Sequence, residues 1–395
     1  MACTPRFNKG VIFLLRKKWF PLLLCVVLCG TFVGCRKTRV HDTSPEFNPE
    51  TDYNTYYDNY GLGSQFVETE DGYYYTAGLF LRFIDKKSMQ SIPLCNKVEC
   101  SHTMEDSQIC SAFRGGIHAK EELFVYKGKL YGFVDDSAVD SVGLAGVYLC
   151  ELSKDGTSQK KIWEMDWKGG SPGNYISGVL HRGVFYFHIM WDHSISVFGY
   201  DMESKKCTLL YDNPDISGCY LTAVGDFLYW REIEVIDDYT EKYTYKRYQI
   251  STGEVTGIEK PTHCFATKDK MFFEWYDEEV GKRRIITTDR DGTNYQETDA
   301  LIDGVGHADD KYLYGHPYWG ADFTTVNVYD INTFELVAQL ETPEVPEGEL
   351  LICNLIPTSG DVMFLYDYSR ENVYYGYKSE ITTGNFQWHK VESAY

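Results

Sequence analysis

His263-Cys264-Phe265-Ala266-Thr267-Lys268-Asp269-Lys270-Met271-Phe272-Phe273-Glu274-Trp275-Tyr276, with its continuation to Asp299, decides the fold. Two apolar, aromatic-rich runs, 263–267 and 271–276, flank the tight turn Lys268-Asp269-Lys270. A polar loop leads to a third run at 283–288. Asp289-Arg290-Asp291-Gly292 then turns the chain into a fourth at 293–298, the Asp-Gly pair supplying the positive φ that tight hairpins need. Four strands in so short a span make one twisted sheet without a core of its own, so the sheet must stack on copies of itself.

The chain supplies those copies. A tight turn followed at once by an aromatic-rich strand recurs at Glu70-Asp71-Gly72, Lys127-Gly128-Lys129, Arg182-Gly183, Gly225-Asp226, Asp269-Lys270, Asp310-Lys311 and Gly360-Asp361. A second turn follows each, among them Lys154-Asp155-Gly156, Ser251-Thr252-Gly253 and Arg290-Asp291-Gly292. Seven pairs of markers predict seven four-stranded units, at 66–95, 121–165, 175–212, 219–258, 263–299, 304–342 and 350–395. Radial stacking of such units is an all-β, seven-bladed propeller. No strand is visibly lent from the N-terminus, so ring closure is expected from face-to-face packing of the first and last blades.

The units resemble a known pattern. Val147-Tyr148-Leu149-Cys150 followed by Ser153-Lys154-Asp155-Gly156-Thr157, and the run 286–294, resemble the repeat of TolB-like propellers and of uncharacterised propeller lipoproteins on Firmicutes surfaces. The resemblance covers 66–395 loosely and implies fold far more than function.

The N-terminus reads as a targeting segment. Lys9, Arg16, Lys17 and Lys18 precede an apolar run, 19–33, too short for an ordinary membrane span. It ends in Phe32-Val33-Gly34-Cys35, which resembles a bacterial lipobox with Phe in place of the usual Leu. This predicts a signal peptide at 1–34, a lipidated Cys35 and a flexible tether at 35–65, polar and punctuated by Pro45 and Pro49, ahead of the propeller at 66–395. The expected address is the extracytoplasmic face of the cell membrane, with the membrane itself a partner through the anchor. Plain secretion after a nearby signal-peptidase cut, or an uncleaved anchor, is the alternative.

Acidic residues number 58 against 38 basic ones. Loss of 1–34 removes five basic and no acidic residues, moving the formal charge from −20 to −25. Such a charge disfavours nucleic acid and anionic membrane surfaces as partners. The expected partners are an extracellular glycan, peptide or protein, met by a monomer.

The most specific local pattern is Cys95-x4-Cys100-x-His102-x7-Cys110, in an insert at 95–120. It resembles a Cys-rich insert of clostridial propeller lipoproteins. Three thiolates and one imidazole form a complete tetrahedral zinc set. A disulfide between two of the three cysteines explains the pattern equally well, since a long loop needs a staple. Either role is structural, because four protein ligands leave a zinc ion no open position. Cys150, Cys207, Cys219, Cys264 and Cys353 fall singly in strands and read as small buried side chains.

Trp191, Trp230, Trp275 and Trp319 fall at the predicted ends of second strands in four successive blades. Rings at such a rim can stack on sugars or hold peptides; packing between blades accounts for them as well. His181, His263 and His307 fall where first strands approach the channel. No H-E-x-x-H pair or phosphate loop occurs. The expectation is therefore a ligand-binding propeller that is not an enzyme. The alternative is an enzyme acting on extracellular polysaccharide, which two carboxylates about 5–10 Å apart at the channel mouth would mark.

Overall fold

A computed structural model describes residues 42–49, 51–52, 66–107, 109–114, 123–135, 147–164, 175–191, 194–237, 240–258, 261, 263–302, 305–316, 324–344, 352–367 and 371–394. Beyond Asp42, they belong to one compact unit, Thr43–Tyr395. Among them no helix is long and apolar enough to cross a membrane.

The unit contains seven antiparallel sheets. Each has four strands in sequence order, at 66–93, 123–164, 175–213, 217–258, 263–302, 305–341 and 352–390. These are blades 1 to 7. The turn geometry follows the residues that suggested it. Gly292 has φ +78° and donates to the Asp289 carbonyl at 2.9 Å, closing the predicted Asp-Gly turn of blade 5.

Second strands are buried on both faces, which explains why they read as nearly continuous apolar runs. In Val184–Trp191 of blade 3, Phe185, Phe187 and Ile189 face blade 2, while Tyr186 faces blade 4. Every neighbouring pair of blades shares such a core, including blades 7 and 1, so the ring is closed by packing all the way round. At the closing interface Phe66, Tyr73 and Tyr75 pack against Ile356, Phe364 and Tyr366.

Blade 7 is built from residues after 351, but packing is not the whole closure. Glu392–Ser393 runs parallel to Gln90–Pro93, the outermost strand of blade 1, and adds a fifth strand to that sheet. Arg82 Nη2 donates to Ser393 Oγ at 2.9 Å, and the Ala394 amide to the Ser91 carbonyl at 3.0 Å.

The turns between first and second strands, and between third and fourth, define a lower face. The turns between second and third strands, and the connections between blades, define an upper face. Residues expected to be a free tether are seated on the lower face. Asp52 is fully buried and accepts hydrogen bonds from Arg182, in the first turn of blade 3, at 2.9 and 3.1 Å. Pro45 offers its carbonyl to Arg290 Nε at 2.9 Å, and Glu46 its carbonyl to Arg182 Nη2 at 3.0 Å. The segment 43–52 is therefore a strap across blades 3 to 5. The reason is long-range charge pairing, which the polar composition of the stretch conceals.

Candidate functional site

The insert after blade 1 is compact. Leu81 donates to the Ala112 carbonyl at 2.8 Å, and Arg114 to the Leu79 carbonyl at 2.9 Å, so the returning chain pairs beside the upper turn of blade 1. Arg114 is fully buried there and reaches Thr76 Oγ1 and the Phe133 carbonyl, both at 3.1 Å, tying blade 1 to blade 2. Gln159 Nε2 donates to the Ser111 and Phe113 carbonyls at 2.8 and 3.0 Å. The third-to-fourth turn of blade 2 meets the same loop, Gly156 lying so close to the Leu94 carbonyl that a Cβ would stand 2.4 Å from it.

Inside this loop the predicted set converges. The ligand atoms of Cys95, Cys100, His102 and Cys110 all lie within 4.8 Å of one another. Cys110 Sγ is 3.7 Å from His102 Nδ1. A tetrahedral zinc with Zn–S of about 2.3 Å and Zn–N of about 2.0–2.1 Å needs ligand–ligand edges of roughly 3.6–3.8 Å, an edge that the Cys110–His102 pair already has. The close Cys100-x-His102 spacing is accommodated by a left-handed backbone at His102, φ +58°. The turn is held by Asp106, whose carboxylate takes the Ser101 amide and hydroxyl at 2.5 Å each and whose carbonyl takes the Cys110 amide at 2.8 Å.

Burial raises the Cys95 thiol, but hydrogen bonds from Ser111, from the Lys97 and Ser111 amides and from Cys110 outweigh it and bring it down to about 7. Burial and the Cys100 thiol push Cys110 up to about 12. Burial also lowers His102, as does Arg82, which favours the neutral imidazole that ligates metals. Cys95, Cys100, Cys110, Cys150, Cys207 and Cys264 are all thiols. Three sulfurs gathered about one imidazole form a metal set, whereas a disulfide would engage two of them and leave His102 without a role. The geometry is consistent with a structural zinc site, and its four protein ligands would close the shell.

This centre corrects the expectation that the domain is not an enzyme. A Cys3-His set within 4.8 Å can carry a metal cofactor, and missing sequence motifs do not exclude a chain so equipped from catalysis.

The tryptophan rim takes a different form. Trp230 is fully buried between blades 3 and 4, because its strand, Phe227–Asp237, continues well past it. It is a core residue, not a rim residue. Trp275 is half-buried against the core between blades 4 and 5. Trp191 closes its strand, paired with Ser194, but its side chain lies outside the described residues, as does all of Trp319. Cys35 also lies outside them. His181, His263 and His307 are buried rather than solvated. His181 Nε2 lies 2.7 Å from the Gly225 carbonyl oxygen. His263 Nδ1 lies 3.1 Å from Glu274, which also accepts from Arg283 at 3.0 Å.

The lower face holds a site that the sequence did not reveal. A cleft of about 670 Å³ opens between the strap and the turns of blades 1, 6 and 7. Phe47, Pro49 and Tyr312 line it with apolar surface, and Glu68, Asp309, Asp310 and Asp361 with carboxylates. Asp310 and Asp361 are exposed, on equivalent turns of adjacent blades. All four carboxylates have scaffold partners: Asp309 pairs with Lys378 at 2.9 Å, Glu68 with Lys86 at 2.9 Å and Ser359 at 2.6 Å, Asp361 accepts from the Ser379 amide and hydroxyl at 2.7 Å each, and Asp310 from the Lys268 amide at 3.3 Å. No single residue announces this cleft, because its walls come from four distant parts of the chain.

No family model and no curated protein sequence matches the chain. Solved structures do. The tricorn protease aligns with a TM-score of 0.51 at 10% identity over 84% of this chain, which spans about a third (34%) of that protein. Dihydro-heme d1 dehydrogenase NirN aligns at 0.47 and 12% identity, covering 82% of this chain and 64% of that one. BamB from Moraxella catarrhalis aligns at 0.41 and 11%, covering 77% and 82%. Identities this low establish the fold alone. The chain is a seven-bladed β-propeller, a fold that offers a ligand-binding or catalytic surface.

Proposed function

We propose that the chain is a lipid-anchored extracytoplasmic propeller, akin to the TolB-like surface lipoproteins, that acts on an extracellular polysaccharide in the lower-face cleft. The observation that carries this reading is the lining of that cleft. Apolar faces of Phe47 and Pro49, suited to sugar rings, stand beside the exposed carboxylates of Asp310 and Asp361. Paired carboxylates are the equipment of glycoside hydrolysis, one protonating the leaving oxygen and the other serving as nucleophile or as base for water. Asp310 and Asp361 are assigned those two roles. Residues 1–34 are the signal peptide, Cys35 bears the lipid, and the protein works as a monomer. The zinc centre holds the insert against blades 1 and 2.

The test is release of new reducing ends from a panel of extracellular polysaccharides by the purified acylated protein. Asp310→Asn and Asp361→Asn should each lower the rate by about 100-fold or more while retention on immobilised substrate persists. Variants as active as the wild type, or no product from any polysaccharide, overturn the proposal.

A further inference from the structure

The strap fixes where the chain leaves the propeller. At its far end Asp52 is clamped by Arg182, with His181 and Arg290 each 3.7 Å away. Thr51 accepts the Arg182 amide at 2.9 Å. At its near end Pro45 and Phe47 lie against Arg290, the Phe47 ring centre 5.4 Å from the guanidinium carbon. Gly225 approaches Ser44 and Pro45 so closely that a Cβ would stand 3.4 and 3.3 Å from them. These partners all sit on lower-face turns of blades 3, 4 and 5.

Only residues 36–42 separate Cys35 from the strap. Eight residue steps from Cys35 to Thr43 span at most about 28 Å when fully extended. We infer that the lower face is turned toward the membrane and held within this reach of it, so that the cleft is presented to membrane-proximal polymer and the upper face points outward. The inference rests on the lipid anchor proposed above.

The full chain, acylated in cells, would be reconstituted into phosphatidylglycerol–phosphatidylethanolamine vesicles containing an acceptor-labelled lipid. A fluorescent donor would replace either Asp71, on the lower turn of blade 1, or Glu279, on the upper turn of blade 5. The two faces are a strand length apart, about 20 Å for six residues, and quenching at Asp71 should exceed that at Glu279 by about twofold. Inserting a Gly/Ser linker of about 20 residues between Asp42 and Thr43 leaves the strap seated and adds about 25 Å of flexible reach, which should erase the difference. Mass spectrometry of the same samples reports the acyl group. An acylated chain quenched equally at both positions overturns the orientation and leaves the anchor standing. A chain without the acyl group overturns the anchor, and the orientation falls with it.

Discussion

His188 sits fully buried in the second strand of blade 3, and neither ring nitrogen has a hydrogen-bond partner among the described residues. Burial alone lowers its pKa to about 4. The native imidazole therefore refuses a proton that the unfolded chain accepts below about 6.5. Stability is unaffected above that value, is lost as pH falls toward 4, and levels off below it. The drop is roughly 3 kcal/mol, at about 1.4 kcal/mol per pKa unit. Urea unfolding of His188→Leu across pH 4–7 should show a correspondingly flatter acid limb; a limb as steep as the wild type's would assign the loss elsewhere. His263, also lowered chiefly by burial, adds to the loss below about 6.5. Asp52 acts below it. Burial pushes this carboxyl up, but Arg182, His181 and the Asn48 amide outweigh that and hold it below its ordinary value. Its contribution is present above about 3.9 and is lost as pH falls through the native pKa.

Elements differ in how far the sequence discloses them. The hairpins were legible because turn chemistry and period-2 burial are local, and the insert because Cys95, Cys100, His102 and Cys110 lie close in sequence. The strap was not: Asp52 meets Arg182 across 130 positions, and Pro45 meets Arg290 across 245. Trp230 misleads for a related reason. The hairpin formed by Phe227–Asp237 and Thr240–Gln249 continues past it through buried Arg231 and Glu232 to exposed Glu234, Val235 and Ile236, so the aromatic run does not mark its end. The insert carries its own prediction. Protein purified without chelator should hold one zinc, and Cys95, Cys100 and Cys110 should resist alkylation until the metal is removed. Cys110→Ala should cost that stoichiometry and loosen the Arg114 contacts between blades 1 and 2. Metal-free protein with all three thiols reactive would refute the centre.

At the scale of the whole molecule, a ring is only as stable as its weakest interface, since opening one interface exposes two blade faces at once. Six of the seven interfaces join blades that are consecutive in the chain. The seventh joins the two ends, and it carries the largest loop-closure cost. It is also the interface reinforced across sheets: Glu392–Ser393 pairs with blade 1, while Val391, buried in the shared core, donates its amide to the Val373 carbonyl of blade 7 at 2.8 Å. The chain end thus spans both sides of the seam. Truncation after Lys390 removes the Val391 side chain, worth about 1.5–3 kcal/mol of burial, together with the cross-sheet hydrogen bonds. The melting temperature should fall by several degrees while circular dichroism at low temperature stays that of a β protein. Amide exchange should rise first in Gly72–Ala77 and Val362–Asp367, the second strands that face each other across the seam. A truncated chain that melts with the wild type and exchanges uniformly would mean that face-to-face packing alone closes the ring.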